Sequence, residues 1–280
     1  MRHMGVPLYM SKYSKKDFTV HQHLLMLGLK ELEKTSFRGL IDRINDLSMQ
    51  EELNMKRLPH YTTPQKFLSR VNPLWFLRLL FLLVSQLKSS FKGVFDATGF
   101  RPSKASLHYI QRIGQRIRKR EYLKGLFAVD YATGLIISCW AMNGRYHESP
   151  RLWRVVNRIP GKLTEGTGDK GLDSEANQRL IASRNAKSYI DVRRVPRKGK
   201  LRKRVFRFKT KYPKRWKKAY RRRRNTIESF NASFKRLFGE SIPGRTGWSQ
   251  KKYLYLRCIF YNFYKKTKTY SFLILEVFYS

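Results

Sequence analysis

The chain has 280 residues, with 60 Lys and Arg against 19 Asp and Glu, a formal charge of +41 and a hydrophobic share of 41%. That length makes one large domain or two modest ones, and that hydrophobic share builds a core, which excludes a disordered basic tail. A folded chain this basic calls for a polyanionic partner, with nucleic acid first and an anionic membrane surface as its competitor.

Residues 1–90 read as helical. Thr19 caps a helix carrying Leu24, Leu25, Leu29 and Leu32, and Ser36 caps a second through Leu40, Ile41 and Ile44. Thr63 followed by Pro64 starts a third, because proline at the first helical position gives up only an orphan donor. Asn72-Pro73 breaks it, and Leu74 to Leu87 forms a fourth. This last stretch is 14 residues long and contains Arg78. A membrane span needs about 20 apolar residues, so a buried helix and no membrane partner are expected. On pattern alone the short helices suit a DNA-binding bundle and a structural bundle equally. The N-terminus has no apolar signal core, so export is not expected. Cys139 and Cys258 sit among apolar residues and read as buried reduced thiols. The whole points to a cytoplasmic protein with access to DNA.

The pattern changes at Phe91. Gly93 to Phe95 reads as a short buried strand ending at Asp96 and a glycine turn. Lys104 to Arg120 has helical potential. Tyr122 to Val129 and Leu135 to Ala141 read as two strands around a hairpin, with Asp130 as a turn former and Gly134 supplying the turn. Tyr189 to Val192 reads as another short strand. Arg202 to Lys209 alternates basic and apolar residues, as an edge strand does, and Trp216 to Phe238 reads as one long helix. Strands, a crossover and a helix on the sheet define an α/β architecture.

Three carboxylates stand out against this background. Asp96 ends a buried strand, where ligands bind in open sheets, although a turn former bonding its own backbone fits the same place. Asp169 lies between glycines at a strand end with no local task, whereas Asp173, before Ser174, reads as a helix cap. Between Arg193 and Arg236 stand 21 Lys and Arg and a single acid, Glu228. On a helix, Ile227, Phe230, Phe234 and Leu237 form an apolar stripe, with Arg224, Glu228, Asn231 and Lys235 on the adjoining face. Glu228 is thereby held at the sheet margin, or spent on an ordinary ion pair with Arg224. Trp216 and Tyr220 read as packing residues, with base stacking as the alternative. His21 and His23, two apart on different sides of a helix, read as ordinary helix residues, and His147-Glu148 as loop.

DATGF at Asp96, GDKGLDSEANQRLI at Asp169 and RNTIESFNASFKRLFG at Glu228, in that order, resemble a DDE transposase of the bacterial and archaeal insertion-sequence type. In that family the third block reads Tyr-x2-Arg-x3-Glu-x6-Lys. Arg224, Glu228 and Lys235 keep the spacing, and Tyr220 stands one place further from Arg224 than the family asks. The resemblance implies a ribonuclease H-like mixed sheet flanked by helices over residues 91–265, behind an all-helical DNA-binding region over 1–90 and ahead of a tail over 266–280. It implies that Asp96, Asp169 and Glu228 are catalytic and hold two Mg2+ or Mn2+ ions. It also implies that Arg224 and Lys235 touch phosphates near the cleaved end. Lys217, Lys218, Arg221, Arg222 and Arg223 would grip double-stranded DNA, both element ends and target, in a homodimer associated with the nucleoid. Two rivals remain open: a basic nucleic-acid-binding protein without catalysis, and an inactive transposase remnant.

Overall fold

The computed structural model describes residues 6–102 and 122–269. The expected helix at Lys104 to Arg120 lies outside these residues, as does the tail beyond 269. Five helices come first: α1 (Val20–Leu32), α2 (Phe37–Asp46), α3 (Met49–Glu52), α4 (Thr62–Arg70) and α5 (Pro73–Leu87). Two caps work as read: Thr19 and Gln22 close a capping box on α1, and Ser36 accepts the Gly39 N–H. The third helix starts one residue before the expected Thr63, at Thr62 behind Tyr61, with Pro64 in its first turn and no side-chain cap. Asn72, expected only to break that helix, also caps α5 by accepting the Leu74 N–H ahead of Pro73. Among the described residues no single helix is long and apolar enough to cross a membrane.

The sheet contains β1 (Ser90–Pro102), β2 (Leu123–Asp130), β3 (Ile136–Asn143), β4 (Lys162–Gly168) and β5 (Lys187–Ile190), in the order β3-β2-β1-β4-β5. The first three strands form an antiparallel meander, and β4 and β5 run parallel to β1. A two-residue strand, β6 (Ser241–Ile242), pairs with the far end of β1. Helices α6 (Trp153–Val156), α7 (Glu175–Ser183), α8 (Lys200–Lys211), α9 (Pro213–Phe238) and α10 (Gly247–Thr269) complete the chain. This is a ribonuclease H-like mixed sheet with helices on both faces, preceded by helices.

β1 is longer than the expected Gly93 to Phe95. Thr98, Gly99 and Phe100 continue the ladder opposite Gly125, Lys124 and Leu123. Gly99 is needed for close approach and not for a turn, since a Cβ there would lie 3.0 Å from the Tyr122 ring. Asp96 therefore sits inside an extended strand, and its reading as a turn former falls. Asp130 does end the hairpin strand β2, buried, accepting from the Lys92 and Thr133 N–H groups.

The basic alternation at Arg202 to Lys209 is a helix, α8, and not an edge strand. Val205, Phe208 and Trp216 form a small separate core with Tyr189. The cap comes from far away: the Glu175 carboxylate accepts the N–H groups of Leu201 and Arg202 at 3.0 Å. Asp173 does not cap α7, since Ser174 does so by accepting the Asn177 N–H. Asp173 instead takes a two-pronged pair from Arg202, at 2.9 and 2.7 Å.

The apolar stripe of α9 covers one face of the sheet. Phe230 lies 5.1 Å from Phe127, and Phe234 lies 5.7 Å from Phe100, ring centre to ring centre. α10 runs beside it, with Tyr261 against both phenylalanines. Its Asn262 side chain bonds both backbone groups of Ile136, and its Tyr255 hydroxyl accepts the Ala141 N–H, so the outer strand β3 is covered. Cys139 and Cys258 are both free and buried, as expected. The N-terminal helices share this core. Gly28 lets α1 cross α10, for a Cβ there would fall 2.0 Å from the Phe260 ring. Beside that crossing, Glu31 is buried between Lys30 and Arg257.

Candidate active site

The parallel pairing of β1 with β4 fixes two of the three carboxylates. Val94 opposite Thr167 is the last pairing of the two strands, and Asp96 and Asp169 each follow two places later. The charge of Asp169 acts on the Asp96 carboxyl, which makes the two side chains neighbours. Strand β4 itself ends at Gly168, and Asp169 leaves it into a short 3₁₀ turn, Lys170–Leu172. A carboxylate pair thus sits where two parallel strands part.

Asp96 lies in the same cross-strand pair as Phe127, on the face that α9 covers. Two α9 side chains reach it. Arg223 Nη2 donates to Oδ1 at 3.2 Å and Asn231 Nδ2 to Oδ2 at 3.4 Å. Burial pushes the Asp96 pKa up, the Arg223 charge opposes this, and the charge of Asp169 adds to the rise. Ionised Asp96 is therefore under-stabilised despite its arginine.

Arg223 is itself 12% exposed, and its Nε is buried with no hydrogen-bond partner among the described residues. The guanidinium lies over the Tyr220 ring at 5.6 Å. Burial raises the Tyr220 pKa, and the charges of Asp191 and Asp169 add to the rise. Tyr220, Arg223, Ile227 and Asn231 recur at three and four residues and make up the side of α9 turned to the aspartates.

Glu228 is one position round from that side. Its side chain is 63% exposed and accepts from Arg224 Nε at 2.8 Å. Among the described residues, no three His, Cys, Asp or Glu side chains are grouped closely enough to hold a metal ion. The structure thus joins Asp96 with Asp169, and shows Glu228 in the ordinary i,i+4 ion pair.

Glu148 joins the neighbourhood unannounced. An ideal Cβ on Gly171 would lie 3.0 Å from Asp169 Oδ1 and 3.4 Å from Glu148 Oε1, so glycine makes room for two carboxylates. Burial alone would raise the Glu148 pKa, but the hydrogen bond from Lys124 at 3.1 Å and the nearby positive charges hold it below the usual range. Its place in a loop far along the chain gave no sign of this. Asn231 and Tyr220 were visible as neighbours of the α9 stripe, and their phase on the helix was the available signal.

The remaining basic residues divide by exposure. Lys217, Lys218, Arg221 and Arg224 face solvent on α9, and Arg222 is half-buried over the Tyr131 ring at 5.3 Å. Lys235 pairs with Glu240 at 3.6 Å. Trp216 is buried and packs on Tyr189 and Phe208. The acids of this half are spent on holding α8: Asp173 takes Arg202, Asp191 takes Lys209, and Glu175 caps the helix.

The aspartate pair stands on a ribonuclease H-like mixed sheet, just beyond the last pairing of β1 with β4. A family model described as transposase DDE domain matches residues 92–263, more than half of the chain. The protein belongs to the DDE transposase family, whose members cut and join DNA and generally use divalent metal ions. A search of curated proteins found no match.

Proposed function

We propose that this transposase binds the terminal inverted repeats of its element through residues 1–90. Residues 91–265 then cleave the ends and join the freed 3′-hydroxyl to target DNA. The observation that supports it most is the side-by-side placement of Asp96 and Asp169, with Asp96 under-compensated by Arg223. Two adjacent anions, one with a raised pKa, are a donor set that a hard divalent cation relieves, so the residues fit two Mg2+ or Mn2+ ions. When bound, such ions activate the attacking oxygen and stabilise the leaving one in an in-line displacement at phosphorus. Glu228 completes the set by leaving Arg224 and turning across Ile227 toward the aspartates, and Arg224 passes to a phosphate near the cleaved end.

The buried, unpartnered Nε of Arg223 is a donor suited to a phosphate oxygen, which gives this residue a task different from that of its exposed neighbours. Lys217, Lys218, Arg221, Arg222 and Lys235 hold the duplex by charge. Handling two element ends calls for a homodimer, acting on the nucleoid DNA of the cytoplasm.

A second reading follows from Glu228 lying on Arg224: a DNA-binding remnant without catalysis. A Mg2+-dependent nicking assay on the DNA flanking the gene separates the two. The transposase reading expects nicking by the native chain, none by Asp96→Asn or Glu228→Gln, and unchanged duplex binding by both variants. Binding without nicking by the native chain would establish the remnant.

A further inference from the structure

A groove of about 610 Å³ opens in the helical region, between the segment running from Tyr9 to Phe18 and the helices α1 and α4. Its walls include rings: Tyr9, Tyr13, and His23 stacked on Phe67 at 4.3 Å and 7°. Its cations include Lys66 and Arg70, one turn apart on α4, which form no ion pair among the described residues. Arg57, also in the lining, is neutralised by Asp17.

We infer that this groove holds an unpaired nucleotide of DNA, its base against the aromatic wall and its phosphate on Lys66 and Arg70. The volume falls in the small-ligand range of about 300–1,000 Å³, which admits a nucleotide and not a duplex. Rings alternating with cations are what a stacked base and its phosphate require, and every base offers a face to stack. An acidic peptide would leave the rings unused, and a lipid headgroup would meet a recess instead of a flat surface. His23 lines the same groove, and its Nδ1 is buried with no hydrogen-bond partner among the described residues. Burial lowers its pKa to about 4, so at neutral pH the ring is uncharged and adds to the aromatic wall, not to the cations. The inference rests on DNA being the polymer this enzyme handles.

The test uses the full chain and two labelled duplexes, one blunt and one ending in a short unpaired stretch that carries 2-aminopurine. Tyr13 is 85% exposed, so Tyr13→Ala does not disturb folding. Tyr13→Ala and the double variant Lys66→Ala/Arg70→Ala should each weaken binding of the unpaired end roughly tenfold, leave the blunt duplex unchanged and abolish 2-aminopurine quenching. Equal loss on both duplexes, or no loss on either, overturns the groove. Stronger competition by an acidic peptide or by vesicles of anionic lipid than by single-stranded oligonucleotide also overturns it. Failure of both duplexes to bind the native chain would instead refute DNA as the substrate.

Discussion

Arg223 donates to Asp96 across 3.2 Å, from a helix position 127 residues further along the chain. Its charge stands beside the aspartate that the proposed cations would use, and its Nε remains buried without a partner. One guanidinium thus compensates the carboxylate pair when it is otherwise unoccupied, and has a donor left over for phosphate.

Removing that charge should have opposite effects on two measurements. Arg223→Ala should tighten Mn2+ binding to the DNA-free protein by about tenfold, because a competing cation is gone. Calorimetry or electron paramagnetic resonance would read this directly. The same variant should nick DNA more slowly, since the phosphate loses a donor. Weaker Mn2+ binding would mean that Arg223 organises the pair and does not compete for it.

The crossing of α1 and α10 makes a stability prediction. Glu31 is 2% exposed and Arg257 5%, so truncating one leaves the other charged and buried. Glu31→Ala should cost about 3–5 kcal/mol in equilibrium unfolding with urea. Loss of both partners in a well-packed Glu31→Met/Arg257→Met variant should cost clearly less. If the single and double variants lose the same stability, the buried pair is not what binds the two regions.

His23 predicts acid sensitivity. Its folded pKa of about 4 lies below the ordinary value of 6.5, because burial disfavours the charged ring. The neutral ring's contribution is present above pH 6.5 and is lost as the pH falls toward 4, amounting to no more than about 3 kcal/mol. His23→Gln should flatten the dependence of unfolding free energy on pH across that window. An unchanged slope would assign the acid sensitivity to other groups.

What the sequence revealed and what it hid follow one physical line. Caps at Thr19 and Ser36 were legible because donor and acceptor lie within three residues of each other. Asp96 was legible as an acid after a short apolar run and Asp169 as one between glycines at a strand end, and the fold then brings their charges together. α8 was not legible, because over eight residues a basic and apolar alternation fits both periods, and its cap, Glu175, lies 26 residues before Leu201. Arg202 was read only as the start of that alternation, and its bond to Asp173, 29 residues earlier, had no local sign. Among four consecutive arginines, nothing local marks Arg223. Only its phase with Ile227 and Asn231, once α9 is laid on the sheet, singles it out.

The account turns on Glu228 changing partner. A crystal of the protein soaked in Mn2+ and examined by anomalous diffraction tests this most directly. The account predicts peaks between Asp96 and Asp169, with the Glu228 carboxylate off Arg224 and turned toward the metal. Mn2+ bound at the aspartates with Glu228 still on Arg224, or no Mn2+ at the pair, would contradict it.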